Sequence, residues 1–223
     1  ATFGGSSLDR DAISACRAFA PRLNELSAER IQNELFKILE APNPAETLIL
    51  MKGERILEHF LPEAQNFGRL RTISWLETSA IKVDSVYPNV IRRLAAILPT
   101  DKNGHKKVTK RLKLSKMQCN QIAIMTNNTC CPSPEMSQTE QQQALFTLGA
   151  TNFRNLILLN WAQELSIETR HPHKRTKLWL DLIEFADNWQ KPICPVKGSD
   201  LTDLGLKQGP VFGEILNEVE YWW

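Results

Sequence analysis

The chain has 223 residues, 42% of them apolar, with 27 Lys and Arg against 25 Asp and Glu and a formal net charge of +2. That length and apolar content suffice for one large helical domain or for two or three small ones sharing a core. The near-balance of charge excludes an argument for a nucleic-acid partner from net charge alone, and the absence of an apolar run of about eighteen residues excludes an evident membrane span.

A helical period dominates from the start. A first helix is expected from about Asp9 to Phe19, ending near Pro21. The next begins behind Ser27, a good N-cap, with Glu29 in the first turn. Its apolar stripe is Ile31, Leu35, Ile38 and Leu39, and Pro42 and Pro44 stop it. Further helices are expected at about 45–51, 54–60, 67–81, 88–97, 105–113, 115–127, 137–147, 150–165, 175–189 and 210–222. Alternating β-branched stretches are few, and no Asn-Gly or Asp-Gly hairpin joins two of them. The expectation is therefore an all-α fold, an elongated helical array. Thr126 to Pro134 reads as a loop, and Lys191-Pro192-Ile193-Cys194-Pro195 as a break that isolates the last thirty or so residues.

The N-terminal Ala1-Thr2-Phe3-Gly4-Gly5-Ser6-Ser7 has neither the basic nor the apolar part of a secretion signal, which points to a soluble, cytoplasmic protein. The cysteines, at 16, 119, 130, 131 and 194, are odd in number and irregularly placed, so reduced thiols are expected. Cys130-Cys131 lacks the spacing with which two thiolates hold one zinc ion. His171 and His173 in the basic stretch Arg170 to Arg175 have only Glu168 as a nearby acid, so a basic loop is expected there and no metal site.

Charge is concentrated between residues 92 and 116. Arg92, Arg93, Lys102, Lys106, Lys107, Lys110, Arg111, Lys113 and Lys116 face the single acid Asp101. On a helix from His105, Lys106, Lys110 and Lys113 share one face by their i+4 and i+3 steps, and with Arg111 they form either a phosphate-contacting stripe or a solvated surface. The excess of cations suggests that they cannot satisfy one another within the protein. Near the C-terminus, Leu204-Gly205-Leu206-Lys207-Gln208-Gly209-Pro210 reads either as an ordinary turn or as an anion site. In the second case Lys207 and Gly209 sit at the N-terminus of a helix opened by Pro210. Of the six tryptophans, most are expected in the core by helical spacing; Trp222-Trp223 reads as a cut helix or a partner surface.

Several phrases in order resemble one family. Pro21-Arg22-Leu23-Asn24-Glu25-Leu26-Ser27-Ala28-Glu29-Arg30-Ile31, continuing to Glu34 and Lys37, is similar to the neck motif of the bacterial class of CCA-adding enzymes (tRNA nucleotidyltransferases) and poly(A) polymerases. Arg93-Leu94-Ala95-Ala96-Ile97-Leu98-Pro99 and Arg111-Leu112-Lys113-Leu114-Ser115 resemble the body. Gly198-Ser199-Asp200-Leu201, Leu204-Gly205-Leu206 and Gly209-Pro210 resemble the tail.

The resemblance implies a neck end over 1–62, a body over 63–131 and a tail over 132–223. It implies that the chain holds tRNA or other RNA 3′ ends for a catalytic head preceding Ala1, its own N-terminal head domain. That head adds CCA or A residues from CTP and ATP with Mg2+. No cofactor is expected in this chain itself. Ser27, Glu29, Arg30 and Glu34 are implied to be a structural neck motif beside the neighbouring templating helix of the neck. The rival reading is a helical protein-interaction module without catalysis. Gly4-Gly5-Ser6-Ser7-Leu8-Asp9-Arg10-Asp11 imitates the head's metal signature, but Asp9 follows Ser6 too closely and helical periodicity sets in at once. A helix N-terminus with dipole-favoured acids is expected instead.

Overall fold

In a computed structural model, residues 9–100, 104–127, 129–168, 172–205 and 209–222 are described. Among them twelve α-helices and no strand occur. They are α1 (Arg10–Phe19), α2 (Ala28–Glu40), α3 (Pro44–Gly53), α4 (Phe67–Trp75), α5 (Val90–Ile97), α6 (Gly104–Arg111), α7 (Lys116–Thr126), α8 (Gln138–Leu148), α9 (Ala150–Ile167), α10 (His173–Asp187), α11 (Gly198–Asp203) and α12 (Pro210–Trp222). None is long and apolar enough to cross a membrane among the described residues.

Local chemistry sets the boundaries. Ser27 Oγ accepts from the Arg30 amide at 3.3 Å and starts α2 as its sequence requires. Ser115 with Gln118 and Ser137 with Glu140 form reciprocal capping boxes at α7 and α8. Gly149, at φ 76°, ends α8 and lets α9 begin at the next residue.

Three expectations are corrected here. The helix expected over 54–60 is only a 3₁₀ turn, Leu57–His59. The helix expected over 67–81 is α-helical only to Trp75, then widens to a π-turn over Leu76–Ala80, closed by Ile81 N–H donating to Leu76 O at 3.1 Å. The helix expected over 105–113 ends at Arg111. Lys113 takes a left-handed conformation, φ 49°, and Leu114 N–H returns to Thr109 O. The short helix α11 falls where only a tail motif was read, because Asp200 accepts from the Lys197 amide at 2.7 Å and caps a single turn and a half.

The chain divides into two units, Ala1–Trp189 and Gln190–Trp223, at the Pro-rich break read from the sequence. In the first, α9 is the axis. Its stretch Phe153 to Leu159 is buried on nearly every side, the pattern of a helix surrounded by others, and it packs on α4, α10, α7 and α8. Helix α4 in turn packs on α3 and α5, and α5 on α2 and α7. One apolar cluster runs from Leu35 to Ala186, across both 62/63 and 131/132. Each fully buried Leu in it contributes about 2 kcal/mol. Trp161 and Trp179 stack inside it, ring centroids 6.1 Å apart, and Trp179 Nε1 donates to Glu164 at 3.0 Å. Trp75, by contrast, is 53% exposed. In the second unit α11 and α12 pack together, with Leu201 buried.

Candidate nucleic-acid interface

The basic stretch 92–116 separates into two populations. Arg92 and Arg93 lie on α5, consecutive and both buried, and both turn their Nε toward Glu77 of the π-turn, at 2.7 and 2.6 Å. Arg92 also donates to Asn155 Oδ1 at 2.8 Å and to Tyr87 O, and Arg93 to Leu39 O and Ala41 O at 2.6 and 2.9 Å. This is an internal clamp joining α2, α5, α9 and the π-turn. Removal from water lowers the Arg92 pKa, and Glu77 opposes the shift. Arg93 Nη2 is the one buried nitrogen of the pair without a hydrogen-bond partner among the described residues.

Arg111 and Lys113 are also engaged. The Arg111 guanidinium makes a bidentate pair with Glu63, both contacts 2.7 Å, and holds that carboxyl below the usual carboxylate range. Lys113 Nζ donates to Glu29 Oε1 at 2.9 Å. Four of these cations therefore find carboxylate partners within the protein, Arg92 and Arg93 sharing the single charge of Glu77. Their acids arrive from outside the stretch. Lys113 also leaves the expected stripe, because its left-handed turn follows the end of α6.

The second population remains in solvent. Lys106, Lys107 and Lys110 of α6 are exposed, as is Lys116 at the start of α7. Lys106, Lys110 and Lys116 make no ion pair among the described residues, and Lys107 lies close enough to Glu63 to lower its pKa. Val108, Thr109 and Leu112 face inward, so α6 presents cations on one side and core on the other. Lys102 lies outside the described residues.

The neck motif is solvent-facing on α2, while Leu35 and Leu39 of the same helix are buried. Glu29 pairs with Lys113, and Glu34 accepts from Lys37 at 2.7 Å. With Ser27 and Arg30 they line a shallow depression of 570 Å³. In the tail, Lys207 lies outside the described residues; Gly209 O accepts from the Phe212 amide at 3.0 Å, an ordinary helix start at Pro210. In the basic loop, Arg170 and His171 lie outside the described residues, His173 opens α10, and Arg175 pairs with Glu164 and Glu135. The Asp-x-Asp at the start does not fit a metal pair borne on a strand. Asp9 Oδ1 accepts from the amides of Asp11 and Ala12 at 2.9 and 3.3 Å and caps α1.

Sequence reasoning missed Glu77, Glu63 and Lys52, the last at the end of α3 with its Nζ 5.2 Å from the Phe67 ring centroid. No local pattern marks any of the three.

A family model described as "Probable RNA and SrmB-binding site of polymerase A" matches residues 6–67. Over 95% of its length the chain is 23% identical to a CC-adding tRNA nucleotidyltransferase of Synechocystis sp.. Both likenesses are to RNA nucleotidyltransferases and polymerases of the CCA-adding and poly(A) kind. It spans about half, 54%, of the length of the curated relative it matches. The exposed lysines of α6 stand on the same unit as the matched segment.

Proposed function

We propose that the chain holds tRNA, or another RNA 3′ end, for a catalytic head in the same enzyme. That head adds CCA or A residues from CTP and ATP with Mg2+. The ordered resemblance to a CC-adding enzyme over nearly the whole chain supports this reading, as does the RNA-binding description attached to residues 6–67. The observation that carries it is α6. While Arg92, Arg93, Arg111 and Lys113 are paired with the protein's own acids, Lys106, Lys107 and Lys110 of α6 are still presented to solvent, as is Lys116 at the start of α7. Cations left over in one place are what a phosphate backbone requires. The residues of this chain bind and orient RNA, and bond-making belongs to the head.

A second reading, a protein-interaction module, is favoured by α1. It buries no residue, and Phe19 is 61% exposed.

A salt titration of tRNA binding decides between them. The chain should bind tRNA with affinity that falls steeply with salt. Lys106→Ala, Lys110→Ala and Lys116→Ala together should flatten the log–log slope by roughly two to three units, at about 0.7–0.9 for each phosphate that is no longer neutralised. Equal slopes for a variant with unchanged helix content would remove α6 from the interface, and absence of tRNA binding by the wild-type chain would favour the interaction module.

A further inference from the structure

A cleft of 290 Å³ lies between the end of α3 and the start of α6, and Lys52, Glu63, Ala64, Gln65 and Lys107 line it. Lys52 and Gln65 belong to the segment matched by the RNA-binding family model, Lys107 to the basic helix, so the cleft is where those two parts of the surface meet. Lys52 is fixed there. Its Nζ donates to Ala64 O at 3.2 Å and sits over Phe67, which leaves two of its three donors for a ligand. Lys107 makes no hydrogen bond or close ion pair among the described residues.

The carboxylate in the cleft does not cancel these cations. Both oxygens of Glu63 are occupied by Arg111, so the Glu63–Arg111 couple is neutral and the two lysines set the sign. Gln65 is exposed and adds an uncharged amide donor. Pro62 and Pro99 complete the walls, and among the described residues no aromatic side chain lines the cleft. The two lysines and the amide donor therefore suit a compact anion.

We infer that this cleft seats one phosphodiester of bound RNA between Lys52 and Lys107, with Gln65 as a third donor. The inference rests on the RNA-holding function proposed above and fixes where the backbone crosses the surface.

The test uses the whole chain, ¹⁵N-labelled, titrated with tRNA and with a short RNA duplex. The backbone amides of residues 63–65 and the Gln65 side-chain amide should shift on addition of either RNA. Lys52→Gln combined with Lys107→Gln should abolish those shifts and flatten the salt slope of tRNA binding by about 0.9. At 0.1 M salt this corresponds to about eightfold weaker binding. Because Lys52 also packs on Phe67, Lys107→Gln alone is measured beside it and should weaken binding in the same direction. RNA binding by the wild type with the Gln65 amide unmoved, or with both variants binding as tightly as wild type, would overturn the cleft and leave the function standing. Failure of the wild type to bind either RNA would overturn both.

Discussion

Lys113 and Glu29 are joined at 2.9 Å across 84 residues of sequence, which ties the turn after α6 to the first turn of α2. The contact is solvent-exposed, and Lys113 holds the Glu29 carboxyl below its ordinary range. An RNA phosphate at Lys113 would have to displace this carboxylate. Lys113→Ala should therefore flatten the salt slope of tRNA binding less than Lys110→Ala does, as read from parallel titrations of the two single variants. A larger effect at Lys113 would return it to the interface and make Glu29 a competitor for RNA.

The clamp around Glu77 sets a second expectation. Glu77→Gln leaves two guanidiniums in the core with no counter-charge, and removing one partner of a buried ion group costs about 3–5 kcal/mol. Urea unfolding should show that loss in the midpoint with an unchanged slope. A change below about 1 kcal/mol would mean that water reaches the arginines.

Capping gives a smaller and more local effect. Ser27→Ala removes the acceptor for the Arg30 amide and should lower stability by about 1 kcal/mol, visible as a lower thermal midpoint. An unchanged midpoint would count against the α2 start.

The Glu63–Arg111 pair makes stability depend on pH with a definite sign. The folded-state pKa of Glu63 is depressed by the Arg111 hydrogen bonds, and the unfolded value is about 4.3. Its contribution is therefore complete above about pH 4.3 and is lost as pH falls through the lower, folded value. Unfolding curves of wild type and Arg111→Gln should lie apart near neutrality and converge in acid. Parallel curves down to the acid limit would show that the pair contributes nothing.

Asp9→Ala should unravel the start of α1, lowering the helical signal slightly. It should leave any nucleotide incorporation by a head-containing enzyme unchanged, since its carboxylate serves the Asp11 and Ala12 amides. Loss of incorporation would make it a metal ligand.

The sequence made the helices legible because their signals are local. Ser27, Pro44 and Gly149 each act within a few residues, and α9 carries the apolar run 156–159 at its buried centre. The order of the family phrases is likewise a property of the string. The fate of the basic stretch was not legible, because each neutralising acid is remote: Glu77 is 15 residues from Arg92, Glu63 is 48 from Arg111, and Glu29 is 84 from Lys113. Which lysines remain for RNA is a tertiary question. The same holds for Lys52, which lines one cleft with Lys107 although 55 residues separate them in sequence.

The wide turn at Leu76–Ala80 stores one residue of slack in an otherwise α-helical path. A chain shortened by a single position there would relax to regular helix and rotate everything beyond it by about 100°. Ile81 would leave the core, and Glu77 and its two arginines would no longer share one point. Insertions and deletions are tolerated in most exposed turns of such a protein, but this one fixes the length of the segment between α4 and α5.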